Sequence, residues 1–261
     1  MPGQALQLYT LREFTKTADA VRTTLERIRE IGFRAVQVSA VAALEADMSP
    51  DDLGRLLREL DLRCIATHRP WASLLNETER EIDLHKAIGC DYVAIGGIPD
   101  GYDKLNPAEY GRFLDESLAV RSQLAAAGIR FGHHNHAFEF DRGDVGADVS
   151  PWDVLIDSGG PDYYLELDVY WAWHGGVNPV GLFSRMNGRV PVVHIKDKAV
   201  IAGEPKMAPI GEGNLPWESI LAAGNAAGVE WWCVEQDECH RDAFASVESS
   251  YRYLKEAHGL L

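Results

Sequence analysis

The chain has 261 residues, 46% of them hydrophobic, which suits one large α/β domain or two small ones and excludes a disordered chain. Its 40 acidic and 25 basic residues give a net charge of −15, which repels phosphate backbones, so we expect no nucleic-acid partner. No apolar run approaches the roughly 18 residues of a membrane span, and the start MPGQALQLYTLRE is unlike a signal peptide. We therefore expect a cytoplasmic protein without a membrane partner.

Short apolar runs typical of strands alternate along the chain with stretches of helical spacing. The eight strand-like runs are Leu6–Leu11, Ala35–Ser39, Cys64–His68, Tyr92–Ile95, Arg130–His136, Tyr164–Val169, Val190–Ile195 and Trp231–Gln236. One helical stripe comprises Leu53, Leu56, Leu57 and Leu60. Ser49 as the N-cap and Pro50 at the first helical position predict where that helix begins.

Glycines follow several helical stretches, at the position where a glycine commonly ends a helix. They are Gly32, Gly89, Gly128 and Gly228, and a strand-like run follows each of them. Eight strand-plus-helix units of roughly 33 residues predict a (β/α)₈ TIM barrel, an α/β fold, as a single domain over residues 1–261. A doubly wound open sheet is the competitor, but LYTLREFTKTAD after the first run has no glycine for a phosphate loop.

Polar residues stand at the ends of the late strands, where the active sites of such barrels lie. Because side chains alternate between the two faces of a strand, Asp168 faces inwards in the sixth strand, and His194 and Lys196 do so in the seventh. Glu235 lies in the eighth, and FGHHNHAFEF at residues 131–140 adds three histidines and a glutamate in the fifth. Carboxylates and imidazoles that converge suit Mn²⁺, Mg²⁺, Co²⁺ or Zn²⁺. Separate ion pairs with Arg or Lys neighbours are the alternative.

Four motifs in this order carry a resemblance that covers essentially the whole chain. HNHAFEF, LELD, VVHIKD and VEQD resemble the sugar phosphate isomerase/epimerase family, which belongs to the xylose-isomerase-like TIM barrels. The resemblance implies one divalent cation, Mn²⁺ before Mg²⁺, Co²⁺ or Zn²⁺. Its implied ligands are Glu139, Asp168, His194 and Glu235.

The ligand in the fifth strand has an alternative. Strict alternation puts Glu139 on the face of His133 and Asn135 and puts His134 and His136 on the other face. In some relatives the ligand lies where His134 falls in this sequence. We favour Glu139, because a second carboxylate better balances a hard cation.

The resemblance also suggests roles for individual residues. Glu139 and Glu235 are the expected acid and base, and His136 is the next candidate base because a neutral imidazole suits proton transfer at pH 7. Lys196 either donates to a substrate oxygen or pairs with Glu166. Substrate contacts are predicted for His68, Trp71, His134, Trp171 and Lys196.

The expected chemistry begins when a divalent metal polarises a carbonyl of the substrate. The metal lowers the pKa of the adjacent C–H and holds the enediolate that forms when the proton is removed. We expect an isomerase or epimerase of a keto-sugar or related polyol. A lyase that eliminates from a 3-keto-glycoside or dehydrates an inosose is the alternative. A non-catalytic sugar-binding barrel and a three-zinc DNA endonuclease are weaker rivals, the latter because the second strand offers only Gln37. We expect a small, neutral carbohydrate as the binding partner. A homo-oligomer is compatible with the sequence. The loop over 205–217 is a candidate lid over the barrel mouth.

Overall fold

A computed structural model describes residues 2–143, 148–186 and 188–260 of the chain. The barrel strands are β1 (Gly3–Gln7), β2 (Ala35–Val38), β3 (Arg63–His68), β4 (Tyr92–Ile95), β5 (Arg130–His134), β6 (Tyr164–Asp168), β7 (Val192–Ile195) and β10 (Trp231–Val234). These eight strands are parallel and close into a barrel in the order β1, β10, β7, β6, β5, β4, β3, β2. The predicted (β/α)₈ barrel is therefore confirmed. After β7, strands β8 (Asp197–Ile201) and β9 (Glu204–Ala208) form an antiparallel hairpin.

The helices connect the strands and cover the barrel. They are α1 (Ala18–Ile31), α2 (Pro50–Glu59), α3 (Trp71–Asn76), α4 (Thr78–Ile88), α5 (Pro107–Glu116), α6 (Leu118–Ala126), α7 (Pro151–Ser158), α8 (Val169–His174), α9 (Pro179–Arg185), α10 (Trp217–Ala226) and α11 (Ala243–His258). Three 3₁₀ segments cover Leu8–Phe14, Ala42–Glu45 and Phe138–Phe140. Within the described part of the chain, no helix has the length and apolar character needed to span a bilayer.

Helix α2 shows how local sequence sets the helix layer. The Ser49 hydroxyl accepts a hydrogen bond from the Asp52 backbone N–H at 3.1 Å, and the Asp52 carboxylate accepts one from the Ser49 backbone. Replacing such a cap by alanine costs about 1 kcal/mol. Leu53, Leu56 and Leu57 bury the predicted stripe against the barrel. The predicted helix start is confirmed.

The first strand differs from its prediction. It covers Gly3–Gln7, whereas the apolar run predicted Leu6–Leu11. The Gln7 side chain accepts a hydrogen bond from the Tyr9 backbone N–H, and the chain turns there into the 3₁₀ segment. Leu8 and Leu11 are fully buried in that segment. Burial of both leucines explains why the apolar run continues after the strand has ended.

The barrel interior changes character along its axis. A small apolar cluster inside it comprises Ala5, Ala35, Ile65, Ala66, Val192 and Cys233, separate from the larger cluster between strands and helices. Towards the C-terminal ends the inward side chains become polar, as Glu166 and Asp168 of β6 show, and both are fully buried. The leucines between and before them, Leu165 and Leu167, face the helices and belong to the outer cluster. The predicted alternation in this strand is confirmed.

Candidate metal centre

Four ionisable side chains meet inside the C-terminal end of the barrel. They are His134, Asp168, His194 and Glu235, called the four-residue cluster below. One ligand atom from each lies within 4.8 Å of the others, and all four residues are buried. His134 Nε2 is 3.3 Å from Asp168 Oδ2, and His194 Nδ1 is 3.0 Å from Glu235 Oε2. Two imidazoles and two carboxylates at this spacing could hold one metal ion.

The strand ends explain why these residues converge. His134 and Asp168 are the last residues of β5 and β6, and Glu235 directly follows β10. In the parallel register Asp168 stands beside His194. Asp168 is also the N-cap of α8, because its Oδ1 accepts the Trp171 backbone N–H at 2.9 Å while Oδ2 faces the cluster. One carboxylate thus starts a helix and supplies a candidate ligand.

A second layer of polar residues contacts the ring nitrogen of His194 that faces away from Glu235. Its Nε2 is 2.8 Å from Gln37 Oε1, and Gln37 in turn donates to Glu166 Oε1 at 2.9 Å. The other oxygen of Glu166 is paired with His68 Nε2. A metal-binding histidine whose second ring nitrogen is hydrogen-bonded has a fixed orientation. Neither Gln37 nor Glu166 was among the predicted site residues.

Lys196 lies within the same network. Its ammonium nitrogen is 2.9 Å from Asp168 Oδ2, 2.5 Å from Glu235 Oε2 and 2.7 Å from Asp237 Oδ2, and the residue is fully buried. The predicted alternative, a pair with Glu166, is not formed. Asp237, two residues beyond Glu235, was not among the predicted site residues, although its position in the motif VEQD was a usable signal.

The pKa values follow from burial and from these charges. Burial opposes the charge on His194, but the carboxylates of Glu166 and Glu235 outweigh it and raise the pKa of His194 to about 9. Burial would raise the pKa of Glu235, but Lys196 and His194 hold it well below its ordinary range. Burial raises the pKa of Asp168 to about 6. The carboxylates therefore draw positive charge into the cluster.

The chemistry of the donors fits a divalent cation. Burial, followed by the neighbouring His194, lowers the pKa of His134 well below its ordinary range, so this imidazole is neutral and able to ligate. Its Nδ1 is buried without a hydrogen-bond partner among the described residues. Two carboxylates complete a set of nitrogen and oxygen donors.

Glu139, the favoured ligand in the fifth strand, does not lie in the four-residue cluster. Its Oε1 is 3.1 Å from His133 Nε2 and its Oε2 accepts the His136 backbone N–H at 2.7 Å. Strand β5 ends at His134, so its alternation does not extend to Glu139, which lies in a 3₁₀ segment and is fully buried. The structure brings the alternative residue, His134, to the cluster instead.

An open cavity of about 610 Å³ leads from the cluster to the barrel mouth. Four residues named in the sequence prediction line it: His68, His134, His136 and Glu235. The Nδ1 atom of His136 is buried without a partner among the described residues.

Neither of the two tryptophans predicted to contact substrate lines the cavity. Trp71 does not line the cavity, because its ring packs on Phe113 at 5.0 Å and Phe131 at 5.9 Å. Trp171 lies beside the site, with its ring centroid 5.5 Å from that of His136 and 5.8 Å from Lys196 Nζ. Trp171 is close enough to shape the cavity wall, whereas Trp71 belongs to the packing of the helix layer.

The fold and the cluster define a (β/α)₈ barrel protein with a candidate metal centre at its mouth. The family model described as xylose isomerase-like TIM barrel matches residues 25–257, so the chain belongs to that family. The predicted family is confirmed. None of the curated proteins matches the sequence.

Solved structures resemble the fold over nearly its whole length. A sugar phosphate isomerase/epimerase from Parabacteroides distasonis has a TM-score of 0.82 and 22% identity, with 100% of each chain covered. The IolI protein with a bound zinc atom has a TM-score of 0.74 and 14% identity, with 97% of each chain covered. The probable 3-DHS dehydratase AsbF from Bacillus anthracis has a TM-score of 0.73 and 13% identity, covering 98% of this chain and 99% of that one. At these identities the likeness is one of fold.

Proposed function

We propose that the chain is a divalent-metal-dependent isomerase or epimerase of a neutral keto-sugar or related polyol. The four-residue cluster carries this proposal: its two imidazoles and two carboxylates lie within 4.8 Å of one another, and two of its members, His134 and Glu235, line an open cavity. Membership of the xylose isomerase-like family supports it, as does the likeness to a sugar phosphate isomerase/epimerase.

His134, Asp168, His194 and Glu235 would hold the cation. When bound, it supplies Lewis-acid polarisation of a carbonyl oxygen, which acidifies the adjacent C–H. With His134 in place of a third carboxylate, the donors suit Mn²⁺, Co²⁺ or Zn²⁺ better than Mg²⁺. The zinc in the IolI structure agrees with such a choice.

Proton transfer between neighbouring carbons falls to residues that line the cavity. Burial lowers the pKa of His136, so its imidazole is neutral at pH 7, and the residue lines the cavity, which makes it the first candidate base. Glu235 also lines the cavity and is the second candidate. Glu139 is a weaker candidate than the sequence indicated, because both of its oxygens are engaged by His133 and the His136 backbone.

Lys196 and His68 complete the proposed site. Lys196 does not line the cavity, but its ammonium group holds the carboxylates of Asp168 and Glu235 in place. His68 lines the cavity and is oriented by the buried Glu166, which makes it a donor or acceptor for a sugar hydroxyl. A neutral substrate is supported by Arg69, the one arginine among the described residues that line the cavity, because it is already paired with Glu81 at 2.7 Å.

A lyase is the second candidate, and one observation favours it. Two imidazoles, those of His68 and His136, line the cavity on either side of His134, with ring centroids each 5.1 Å from its ring. One of them could accept the C–H proton while the other donates a proton to a leaving group. The likeness to a probable dehydratase supports this alternative.

The test is incubation of metal-loaded protein in D₂O with ketoses, inososes and 3-keto-glycosides. Deuterium uptake at carbon, lost in chelator and in His136→Gln, is the expected result. Release of an alcohol or water with a conjugated enone identifies the lyase, and an equilibrium mixture of two isomers identifies the isomerase or epimerase. If metal-loaded protein exchanges deuterium with none of these compounds, the proposed function is wrong.

A further inference from the structure

The cavity is larger than one sugar ring requires. A hexose has about twelve non-hydrogen atoms, and even at the roughly 30 Å³ that a water molecule takes in the liquid it fills about 360 Å³. The cavity holds about 610 Å³, so a ring bound at the four-residue cluster leaves a substantial part of it empty. That remaining space is large enough to receive a second group of the same ligand.

The far side of the cavity has a different chemistry from the cluster. Past the ends of β2 and β3 it is lined by Ala40, Val41, Ala42 and Pro70, with the half-buried ring of Tyr9 beside them. We call these five residues the apolar wall. Small aliphatic side chains and one aromatic ring offer few hydrogen bonds to sugar hydroxyls, but they suit an apolar or aromatic group.

The apolar wall is held in a fixed shape. Ala40 has φ +53°, a left-handed conformation that residues with a side chain rarely adopt, and its carbonyl accepts a hydrogen bond from Thr15 Oγ1 at 3.3 Å. The guanidinium of Arg12 lies 4.2 Å from the centroid of the Tyr9 ring, and it donates to the carbonyls of Tyr9 and Asp237. The turn after β2 and the ring of Tyr9 are thus set before any ligand arrives.

The charges around the apolar wall argue against an anionic group. Arg69 forms two hydrogen bonds of 2.7 Å with Glu81, and Glu45 stands 3.7 Å away from it. The other ionised side chains that line the cavity include the carboxylates of Glu235 and Asp237. A phosphate or carboxylate placed here would meet like charge without a free cation.

We infer that the apolar wall is a second subsite that receives a neutral apolar or aromatic substituent of the sugar, so the natural substrate is a keto-glycoside or similarly substituted keto-sugar. This inference rests on the proposed function in one respect, since it places the sugar ring at the four-residue cluster. Ala42 is its specificity-determining position, because it is exposed, lines the cavity and belongs to the short 3₁₀ segment Ala42–Glu45.

The test compares matched methyl and phenyl glycosides of glucose, galactose and xylose by calorimetric titration of the metal-loaded protein. For at least one sugar, the phenyl glycoside should bind about tenfold more tightly, which corresponds to about 1.4 kcal/mol. Ala42→Trp fills the subsite and should remove this preference while it leaves the methyl glycoside within about twofold. Ala46→Trp, at an exposed residue that directly follows the same segment and does not line the cavity, is the control and should keep the preference.

Equal affinities for the two glycosides, no binding of either, or the same loss for both in Ala42→Trp would overturn the subsite. Deuterium exchange with an unsubstituted keto-sugar separates this result from the proposed function. Exchange without a phenyl preference removes the subsite alone. A phenyl preference without exchange by any sugar removes the isomerase chemistry and leaves the subsite standing.

Discussion

Lys196 and Asp168 form an ion pair inside the barrel, with the ammonium nitrogen 2.9 Å from Oδ2. The same nitrogen is 2.5 Å from Glu235 Oε2. One ammonium group is therefore shared between both carboxylates of the four-residue cluster. A divalent cation that binds there must compete with this lysine for the same oxygens.

The first prediction follows from that competition. Lys196→Met should bind Mn²⁺ or Zn²⁺ at least as tightly as the unchanged protein, up to about tenfold more tightly, and should lose turnover. Asp168→Asn and His194→Ala should lose the ion, in elemental analysis as in titration. Lys198→Met removes the same charge two residues away and serves as the control. Loss of metal in Lys196→Met would show that the lysine supports the ion and does not compete with it.

The second prediction separates the two candidate ligands of the fifth strand. His134→Ala should weaken metal binding by more than the roughly 10–100-fold typical of residues that only orient a ligand. Glu139→Gln should change metal affinity little, and should lower the free energy of unfolding by about 1–3 kcal/mol because a buried acceptor of two hydrogen bonds is altered. Metal titration and urea unfolding of both variants measure this. The reverse pattern would return the ligand role to Glu139.

The third prediction concerns pH in the metal-free protein. The carboxylates of Glu166 and Glu235 overcome the effect of burial and raise the pKa of His194 from 6.5 to about 9. Its stabilising contribution, about 3 kcal/mol, is fully present below pH 6.5 and is lost as the pH rises towards 9, because the unfolded chain releases the proton first. Urea unfolding in chelator at pH 6, 7.5 and 9 should show this decline, and His194→Gln should flatten it. Metal affinity should rise over the same interval, since binding displaces that proton.

The fourth prediction tests the segment after the hairpin. Buried Asp197 accepts hydrogen bonds from the backbone N–H groups of Gly211, Gly213 and Leu215 and from Trp217 Nε1, at 2.7–3.1 Å. Asp197→Asn places an amide donor against these donors and should cost about 1–3 kcal/mol in urea unfolding. An unchanged midpoint would contradict this account.

Gly213→Ala should destabilise through the same anchor. A Cβ at this position would stand 2.2 Å from Asp197 Oδ1, so the segment or the carboxylate would have to shift. Gly181→Ala is the matched control, because a Cβ there meets nothing within 4 Å. The same hydrogen bonds argue against the predicted lid over 205–217. They fix the segment in place, and none of residues 205–217 lines the cavity.

Most of the fold was predictable because the signals for its strands and helices lie in short local stretches of the sequence. Apolar runs of strand length, the cap at Ser49 and the glycine after α4 are local features, and the structure confirms each of them. Gly89 adopts φ +67° and ends α4 directly before β4. The start of the chain was less readable, since Leu8 and Leu11 are as apolar as a strand but lie in a 3₁₀ segment.

The direction of a site residue was predictable only where the residue lies within a regular strand. Asp168 and His194 follow strict alternation and lie where the sequence places them. Glu139 lies beyond the end of β5, where alternation no longer sets direction. The contact of Gln37 with His194 joins strands β2 and β7, which are not neighbours, and the contact of Lys196 with Asp237 depends on β7 pairing with β10; both follow from the closure of the barrel, which the sequence does not display.

The two oxygens of Asp168 serve different parts of the molecule. Oδ1 begins helix α8 and Oδ2 faces the cluster, so replacement by a residue without a side-chain oxygen removes the candidate ligand and a helix cap together. Asparagine preserves the cap and changes the ligand, whereas alanine removes both. In a lineage of such barrels, a descendant that abandons the metal would therefore carry asparagine, serine or threonine here more readily than alanine.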